Sequence, residues 1–268
     1  MNKNYNLNDI TVIFPLYRTP HKLINRFEQY RSLKLIILDQ SNDLELKKKI
    51  LKKKLKIQKY IRIDKNIGFS RACNLLFKNV KTKYCLLTQA DIKINLKSIS
   101  KLRKSIATTK NCIIAAPNFN NYKIKSKIKI VNNVIGANFL FNSQKMRKLN
   151  FFDENFFLYW EDVDLCNRIN KKKYKMIVVS GANAKHFSST SSKDDLKTFF
   201  IRNINFKFGE YLYQKKNKKL KKLKILRQII TNFVNSIIYL IKFDYKKSFL
   251  NISYILGIFK FLFKRSIL

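Results

Sequence analysis

The sequence predicts an α/β protein with a mixed, mainly parallel sheet flanked by helices, followed by a basic helical tail. Short apolar runs alternate with stretches of helical periodicity through the first two-thirds of the chain, as strands alternate with crossover helices. The 268 residues, 46% of them hydrophobic, suit one sizeable α/β domain with an appendage. After about residue 210 the chain becomes basic and apolar. We therefore predict two domains, residues 1–209 and residues 210–268.

The predicted strands are short apolar runs, and the predicted helices have apolar residues three or four positions apart. The strands are 10–14, 33–38, 57–63, 84–87, 112–116, 128–134 and 176–179, and the helices are 68–80, 95–108, 143–149 and 161–170. Right-handed crossovers between such strands build a largely parallel sheet. Ligands bind these sheets at the carboxyl ends of strands, where Asp39 and Asp91 lie.

The tail combines positive charge with apolar segments. Residues 215–227 hold eight basic and no acidic residues, and apolar runs of about 13 residues follow at 229–241 and 250–263. Each run is shorter than the roughly 20 residues that span a bilayer. The pattern is typical of helices that lie in a membrane interface. The alternative is a helical pair packed on the core with its lysines in water.

The net charge of +41 arises from 57 basic and 16 acidic residues. AT-rich coding alone could produce this bias, so the lysines could simply be solvated on the surface. The alternatives are that the positive charge binds an anionic membrane or a nucleic acid. Because the basic cluster adjoins apolar runs, we favour a membrane over nucleic acid. Four scattered cysteines without metal-ligand spacing, and a polar N-terminus without an apolar segment, indicate a cytosolic chain with reduced thiols and no secretory signal.

Three segments have the residues of a phosphate or nucleotide site, and each has a plainer interpretation. The turn from Asp39 to Asp43 could hold a ribose or base, or it could be a simple turn. Gly68 and Arg71 could meet a diphosphate at a helix start, or the glycine could only cap the helix. Asp91 could bind a divalent cation, or it could end a strand.

The stretch 151–168, FFDENFFLYWEDVDLCNR, has five of the 16 acidic residues beside six aromatic residues. Acids in such surroundings can have shifted pKa values, and these groups cluster at catalytic sites. Asp162 and Asp164 diverge by about 200° on a helix, so they cannot share one task. The alternative is an acidic first turn that complements the helix dipole. His186 is one of two histidines, and a lone histidine is more often structural than a ligand.

Taken in order, these segments resemble family 2 glycosyltransferases of the GT-A fold, in particular the rhamnosyltransferase-like bacterial branch. The resemblance covers about residues 9–205, and its specific part is the segment from Phe152 to Arg168. The supporting matches are Phe14-Pro-Leu-Tyr17, Asp39-x-Ser-x-Asp43, Asn66-x-Gly-Phe, Asn74, Gln-Ala-Asp91 and His186.

The resemblance implies an inverting glycosyltransferase that uses a nucleotide-diphospho-sugar donor. It implies Asp162 as the general base, with Glu161 orienting the acceptor or supporting that base. It implies that Asp91, the last acid of a DxD motif, and His186 bind Mg²⁺ or Mn²⁺; Gln89 replaces the first acid of the motif. The residues implied for the nucleotide sugar are Pro15, Tyr17, Asp39, Ser41, Asp43, Asn66, Gly68, Arg71, Asn74 and Gln89.

The resemblance also implies a biological setting. The acceptor would be a hydroxyl of a glycan or lipid-linked molecule in bacterial cell-surface polysaccharide synthesis. Together with the tail, this predicts a cytoplasmic enzyme held peripherally at the inner face of the cell membrane, with an anionic membrane surface and no nucleic acid as partner. The alternatives are a catalytically decayed membrane-bound scaffold with the same fold and a basic nucleic-acid-binding protein.

Overall fold

The computed structural model describes residues 6–119, 126–187, 192 and 195–264. The chain divides into two compact units. The first unit comprises residues 1–154 and 162–193, and the second comprises residues 155–161 and 194–268. The described part of the first unit is built on a nine-stranded sheet, and that of the second on three long helices.

The sheet has the order β3-β2-β1-β4-β8-β6-β9-β5, with β7 paired to β9. Strands β1 to β4 are parallel, as are β6 and β9, whereas β8 runs antiparallel to β4 and β6. Strands β5 and β7 pair antiparallel with β9. The strands are β1 Ile10–Leu16, β2 Lys34–Asp39, β3 Ile57–Arg62, β4 Tyr84–Leu87, β5 Ile92–Ile94, β6 Cys112–Phe119, β7 Ile128–Val131, β8 Phe139–Asn142 and β9 Lys175–His186. The predicted fold class is confirmed.

Two strands continue through a proline at which the sequence predicted their end. At Pro15 strand β1 pairs only with β2, because β4 is last paired at the level of Ile13. At Pro117 strand β6 likewise pairs only with β9. A proline is tolerated where one edge of its strand has no partner, since no ladder hydrogen bond is lost there.

The helices of the first unit begin where side chains can satisfy free backbone N–H groups. Asp43, Asn95 and Asn142 each accept a hydrogen bond from the N–H three residues ahead, which explains the starts of α1, α3 and α4. The helices are α1 Leu44–Leu51, α2 Phe69–Lys78, α3 Leu96–Thr108, α4 Ser143–Arg147 and α5 Glu161–Lys171, with a 3₁₀ helix at His21–Tyr30. The 3₁₀ helix and α1 were absent from the sequence prediction.

Apolar side chains form a core on each face of the sheet. Alternate residues of a strand enter opposite layers, as Val12 and Ile13 of β1 do. One layer contains Leu23 and Phe27 of the 3₁₀ helix, and the other contains Leu76 of α2 and Leu165 of α5. This three-layer packing leaves the ends of the strands available for polar side chains.

The second unit contains α6 Leu196–Lys216, α7 Lys222–Ile241 and α8 Tyr245–Lys264. The predicted boundary at 209/210 lies inside α6, which packs along α8 and belongs wholly with the tail. Gly257 of α8 allows this packing, because a β-carbon there would lie 2.6 Å from the carbonyl oxygen of Ile204. Among the described residues, no helix has the length and apolar character needed to cross a membrane.

Candidate active site

The carboxyl ends of parallel strands β1, β2 and β4 meet at one edge of the sheet. Asp39 is the last residue of β2, and Leu16 of β1 lies opposite it. Pro15 lies within β1, and Tyr17 follows the strand with its side chain partly exposed. Gln89, also partly exposed, and Asp91 lie in the turn after β4. The sequence prediction therefore placed these residues at a common edge, as the structure does.

Asp39 organises the turn that follows β2. Its buried carboxylate accepts hydrogen bonds from the N–H and hydroxyl of Ser41, at 3.0 and 2.7 Å, and from the N–H of Asp43 at 2.9 Å. Asp43 in turn caps α1 and lies 2.9 Å from Nε2 of His21. Burial raises the pKa of Asp43, but the hydrogen bonds from His21 and the Leu46 N–H outweigh it, so the pKa is lowered.

A cleft of about 460 Å³ opens beside this turn. Ser41 and Asp43 line it, together with Arg18, Thr19, Pro20 and His21. The hydroxyl of Thr19 is buried and has no hydrogen-bond partner within the described part of the chain. The sequence prediction missed Arg18, Thr19 and His21; the only signal was their position directly after Pro15–Tyr17. The cleft has the size, and its lining has the hydrogen-bond donors and acceptors, that a nucleoside needs.

The Asn66–Gly68 turn is held against the end of β2. The side chain of Asn66 accepts a hydrogen bond from the N–H of Gly68 at 3.0 Å, and Gln40 accepts one from the N–H of Ile67 at 3.0 Å. Gly68 has φ 87°, a left-handed conformation that glycine adopts without strain. Arg71, half-exposed on α2, lies 3.8 Å from the carboxylate of Glu154. The turn thus presents a helix start near the candidate nucleotide site.

Asn74 connects α2 to the aromatic loop before α5. Its Nδ2 donates to the carbonyl of Phe152 at 2.9 Å and to Glu154 at 3.0 Å. Its Oδ1 accepts from the N–H of Phe152 at 3.2 Å. Because both ends of the amide bind this loop, the structure gives Asn74 a tethering position.

Asp91 and His186 are brought together by strand pairing. Strand β5 places Ile92 opposite His186 at the end of β9, and Nε2 of His186 lies 3.5 Å from Oδ2 of Asp91. Asp91 is 1% exposed, and neither carboxylate oxygen has a hydrogen-bond partner among the described residues. A buried carboxylate without hydrogen bonds is costly unless a cation compensates it. The described residues contain no group of three or more His, Cys, Asp or Glu that could hold a metal ion.

Asp162 is held by the loop before β8. Its Oδ2 accepts from the N–H of Gly136 at 2.9 Å, and its Oδ1 accepts from the N–H of Val163 at 2.8 Å. A β-carbon at Gly136 would lie 3.0 Å from Cβ of Asp162, so glycine permits this close approach. Burial raises the pKa of Asp162 despite the two hydrogen bonds, while the residue stays partly exposed. The sequence prediction missed Gly136, although it is one of only five glycines.

The same loop links Asp162 to the carboxyl edge of the sheet. Strand β8 is antiparallel to β4, with Phe139 opposite Leu87, so the residues before β8 lie at the end of β4. The side chain of Asn138 donates to the buried hydroxyl of Thr88 at 2.8 Å, which fixes this arrangement. The turn that carries Asp91 follows β4, and the loop that holds Asp162 precedes β8. Both therefore lie at adjacent strand ends.

Asp164 and Glu161 have different surroundings from Asp162. Asp164 is 1% exposed and pairs with Nε of Arg168 at 2.7 Å, and Arg168 also donates to the carbonyls of Leu149 and Phe151. This pairing anchors α5 to the preceding loop. Glu161 is buried in the second unit. The pKa of the nearby Tyr159 is raised, mainly because that residue is buried. The charge of Arg202 lowers this pKa, and the charge of Glu161 raises it.

Two solved structures resemble this fold. One is described as GalNAc-T7 with UDP, GalNAc and Mn²⁺; it is 12% identical with a TM-score of 0.56, over 77% of this chain and 48% of that one. The other is the mannosyltransferase PcManGT from Pyrobaculum calidifontis with GDP-Man and Mn²⁺; it is 12% identical with a TM-score of 0.61, over 82% of this chain and 69% of that one. This chain thus spans about half the length of the first structure. At these identities the likeness shows the fold.

A comparison with curated protein sequences finds no match. The match to a sequence family, by contrast, covers more than half of the chain. It extends over residues 13–168 and includes the strand ends, the Asp91 turn and the whole aromatic, acidic segment. The rhamnosyltransferase-like branch stays a prediction. The chain belongs to the family described as glycosyl transferase family 2, and it has the GT-A fold.

Proposed function

We propose that the protein is an inverting glycosyltransferase that moves a sugar from a nucleotide-diphospho-sugar to an acceptor hydroxyl. Membership of the family supports sugar transfer. The observation that carries the proposal is Asp162, a partly exposed carboxylate that two backbone N–H groups hold in place and whose pKa burial raises. Such a group has the position and proton affinity of a general base.

The nucleotide of the donor is assigned to the edge formed by β1, β2 and α2. The nucleoside occupies the cleft at Ser41 and Asp43, where Asp39 sets the shape of the turn. The diphosphate lies toward Gly68 and Arg71, with the other predicted residues around it: Pro15, Tyr17, Asn66 and Gln89. The two similar structures contain UDP and GDP-Man, which supports a nucleotide as the ligand. We assign Asn74 a tethering role instead of a nucleotide contact, because its amide already binds the aromatic loop.

Asp91 and His186 would hold Mg²⁺ or Mn²⁺. The residues fit such an ion, since a buried carboxylate that has no hydrogen bond from the described residues lies beside an imidazole nitrogen. An oxygen and a nitrogen ligand suit Mn²⁺, and both similar structures contain Mn²⁺. The bound ion would offset the negative charge of the departing nucleoside diphosphate. Since Gln89 supplies no carboxylate, we expect the ion and the diphosphate to bind together.

Asp162 takes the proton from the acceptor hydroxyl while the acceptor oxygen forms its bond to the anomeric carbon. In the same displacement the bond to the nucleoside diphosphate breaks, so the configuration at that carbon inverts. A raised pKa makes Asp162 a stronger base than an ordinary carboxylate. Glu161, its neighbour in the chain, is proposed to orient the acceptor or to support Asp162.

A screen of nucleotide sugars tests the donor assignment. The full-length protein is heated with each donor, with and without Mn²⁺, and a bound donor should raise the unfolding temperature by mass action. Release of the nucleoside diphosphate is then measured with wild type and with Asp162→Asn. We expect the variant to lose about 10²- to 10⁴-fold in turnover, the usual contribution of a general base. Unchanged turnover, or unchanged glycan assembly in cells that carry the variant, would show that Asp162 is not the base, and no turnover by the wild type with any donor would favour a non-catalytic scaffold.

The second unit is proposed to hold the enzyme at an anionic membrane, at the inner face of the cell membrane. Its helices α7 and α8 expose large apolar side chains, which we call the apolar face: Leu223, Leu226, Ile230, Phe233, Val234, Ile237 and Ile241 on α7, and Tyr245, Phe249, Ile252, Leu256, Phe259 and Phe263 on α8. Polar residues are buried between these helices instead, with the hydroxyls of Ser236 and Ser248 3.1 Å apart. Exposed apolar side chains beside a basic segment are typical of helices that lie in a membrane interface.

Lipid with negative headgroups would match both the apolar face and the eight basic residues at 215–227. A membrane location supports a glycan or lipid-linked acceptor in cell-surface polysaccharide synthesis. Vesicle flotation tests the location. We expect binding to phosphatidylglycerol vesicles, weakened by salt, and loss of binding in Phe233→Glu. The control is Leu51→Glu, also at an exposed apolar residue but in the first unit. Equal binding by the two variants would argue against the apolar face.

A further inference from the structure

We propose that the C-terminal helical unit also positions the catalytic base: helix α6 holds Trp160, and Trp160 sets the turn from which Asp162 projects. This inference rests on the proposed function of Asp162. Trp160 and Gly209 are positioning residues in it, because they act through the turn and have no assigned contact with a substrate. The tail would then serve catalysis directly, in addition to any role at a membrane.

The first observation is where the chain before Asp162 belongs. Residues 155–161 group with the second unit, although they are separated in sequence from its remainder, residues 194–268. Lys216 and Lys260 of this unit lie over the rings of Phe156 and Phe157, at 5.9 and 5.5 Å from the ring centres. The segment just before the base is therefore built into the helical unit.

The second observation is the packing of the Trp160 ring. Its centre lies 5.9 Å from that of Phe206 and 5.5 Å from that of Tyr213. Tyr159 adds a contact to Phe206, with the ring centres 5.8 Å apart. Phe206 and Tyr213 are seven residues apart on α6, so they lie on one face of the helix two turns apart. Trp160 is thus held along two turns of α6.

The third observation is the glycine between these two aromatic residues. A β-carbon at Gly209 would lie 2.9 Å from Cδ1 of Trp160 and 3.0 Å from the carbonyl oxygen of Tyr159. Glycine is a poor helix former, so its place inside α6 needs a reason. The reason is close approach, since neither a rigid indole nor a backbone carbonyl can move aside easily.

The fourth observation is the backbone conformation of the held segment. Tyr159 and Trp160 have φ values of 68° and 71°, in the left-handed region that bulky residues seldom adopt. Such conformations persist where the surroundings enforce them, and they cluster at functional sites. Helix α5 begins at the next residue, Glu161, and Asp162 follows. A change in the turn would therefore move the start of α5 and the carboxylate of the base.

Gly209→Ala in the full-length enzyme is the direct test. The readout is the release of nucleoside diphosphate from a donor that the wild type uses. We expect kcat to fall by about 10- to 100-fold, the cost of a misplacement near 1 Å, with the donor KM unchanged. We also expect the acidic limb of the pH–kcat profile to move toward lower pH, because a displaced Asp162 gains water. A role in folding alone would not move this limb.

Variants of Trp160 keep the test decisive if Gly209→Ala folds poorly. Trp160→Phe retains a ring and should keep most of kcat, whereas Trp160→Ala should lose as much as Gly209→Ala. Because both changes act through the same turn, the kcat loss of the double variant should be smaller than the two single losses combined. Additive losses would overturn the proposal.

Gly257→Ala is the matched control. Its β-carbon would lie 2.9 Å from Cβ of Lys207, and its three nearest atoms belong to neither Tyr159 nor Trp160. We expect it to lower stability and to leave kcat and the pH profile unchanged at temperatures where it is folded. Wild-type kcat in Gly209→Ala, or the same kcat loss and limb shift in Gly257→Ala, would overturn the positioning role. If Asp162→Asn keeps wild-type turnover, the proposed function itself fails, whatever the Gly209 result.

Discussion

Replacing Asp91 by asparagine should have opposite effects on stability with and without the cation. Both carboxylate oxygens of Asp91 are buried and lack hydrogen-bond partners among the described residues, and His186 lies 3.5 Å away. A carboxylate so placed opposes folding until a cation binds, while a neutral amide of the same shape costs less to bury. Asp91→Asn should therefore stabilise the metal-free protein.

The expected size follows from the burial. Relief of an uncompensated buried polar group is worth about 1–3 kcal/mol. For a protein of this size each kcal/mol shifts the unfolding temperature by about 2–4 °C. Wild type should recover the difference when Mn²⁺ and a nucleoside diphosphate bind, since a ligand at 100 times its Kd stabilises by about 2.7 kcal/mol. The order of the two unfolding temperatures should thus reverse between chelator and Mn²⁺ with the nucleoside diphosphate.

Differential scanning fluorimetry measures this in EDTA, in Mn²⁺, and in Mn²⁺ with UDP or GDP. The matched control is Asp39→Asn, another buried carboxylate at a strand end. Its oxygens accept three hydrogen bonds, so the amide should destabilise the protein by about 1–3 kcal/mol under every condition. The reasoning about Asp91 is refuted if Asp91→Asn melts below wild type in EDTA, or if Mn²⁺ with the nucleotide stabilises both proteins equally.

Three further predictions concern α5 and its surroundings. Because burial raises the pKa of Asp162 and the base acts when ionised, turnover should fall as the pH decreases through a value above the ordinary 3.8, and a pH–rate profile without that limb would contradict the assignment. Gly136→Ala should displace the Asp162 carboxylate, because the added β-carbon would lie 3.0 Å from Cβ of Asp162. The variant should lower kcat by about 10-fold or more, and a wild-type kcat would disprove the contact. Arg168→Met should leave Asp164 buried without its ion pair and cost about 3–5 kcal/mol in urea unfolding, and a loss below about 1 kcal/mol would show that the pair is not structural.

Local patterns were enough to predict that polar residues lie at the ends of β2 and β4. Asp39 follows a run of apolar residues, and Asp91 follows another, so a parallel sheet brings both to one edge whatever the details of packing. The helix at α5 was predicted from its acidic first turn and basic last turn. Asp164 and Arg168 are four residues apart, the spacing at which side chains on a helix meet.

The contacts that the sequence prediction missed join residues that are far apart in the chain. Gly136 binds Asp162 across 26 residues, and Asn74 binds Phe152 across 78. His21 reaches Asp43 across 22. Such contacts depend on how the helices and loops pack on the sheet, and the periodicity of apolar residues along the chain does not predict them. The boundary at 209/210 stays a prediction: composition changes near residue 210, while packing groups all of α6 with α8.

The sequence by itself determined the fold class and the family, and its resemblance to that family pointed to Asp91 and Asp162 as the two acids that the proposed chemistry needs. These follow from short-range patterns, because strand alternation, helix periodicity and motif spacing all act within a few residues. Only the tertiary structure decided which carboxylate has no hydrogen bond from the described residues, which carboxylate is held by a glycine N–H, and which helix holds Trp160. Burial and close approach are properties of the packed chain, and they distinguish acids that look equivalent in the sequence.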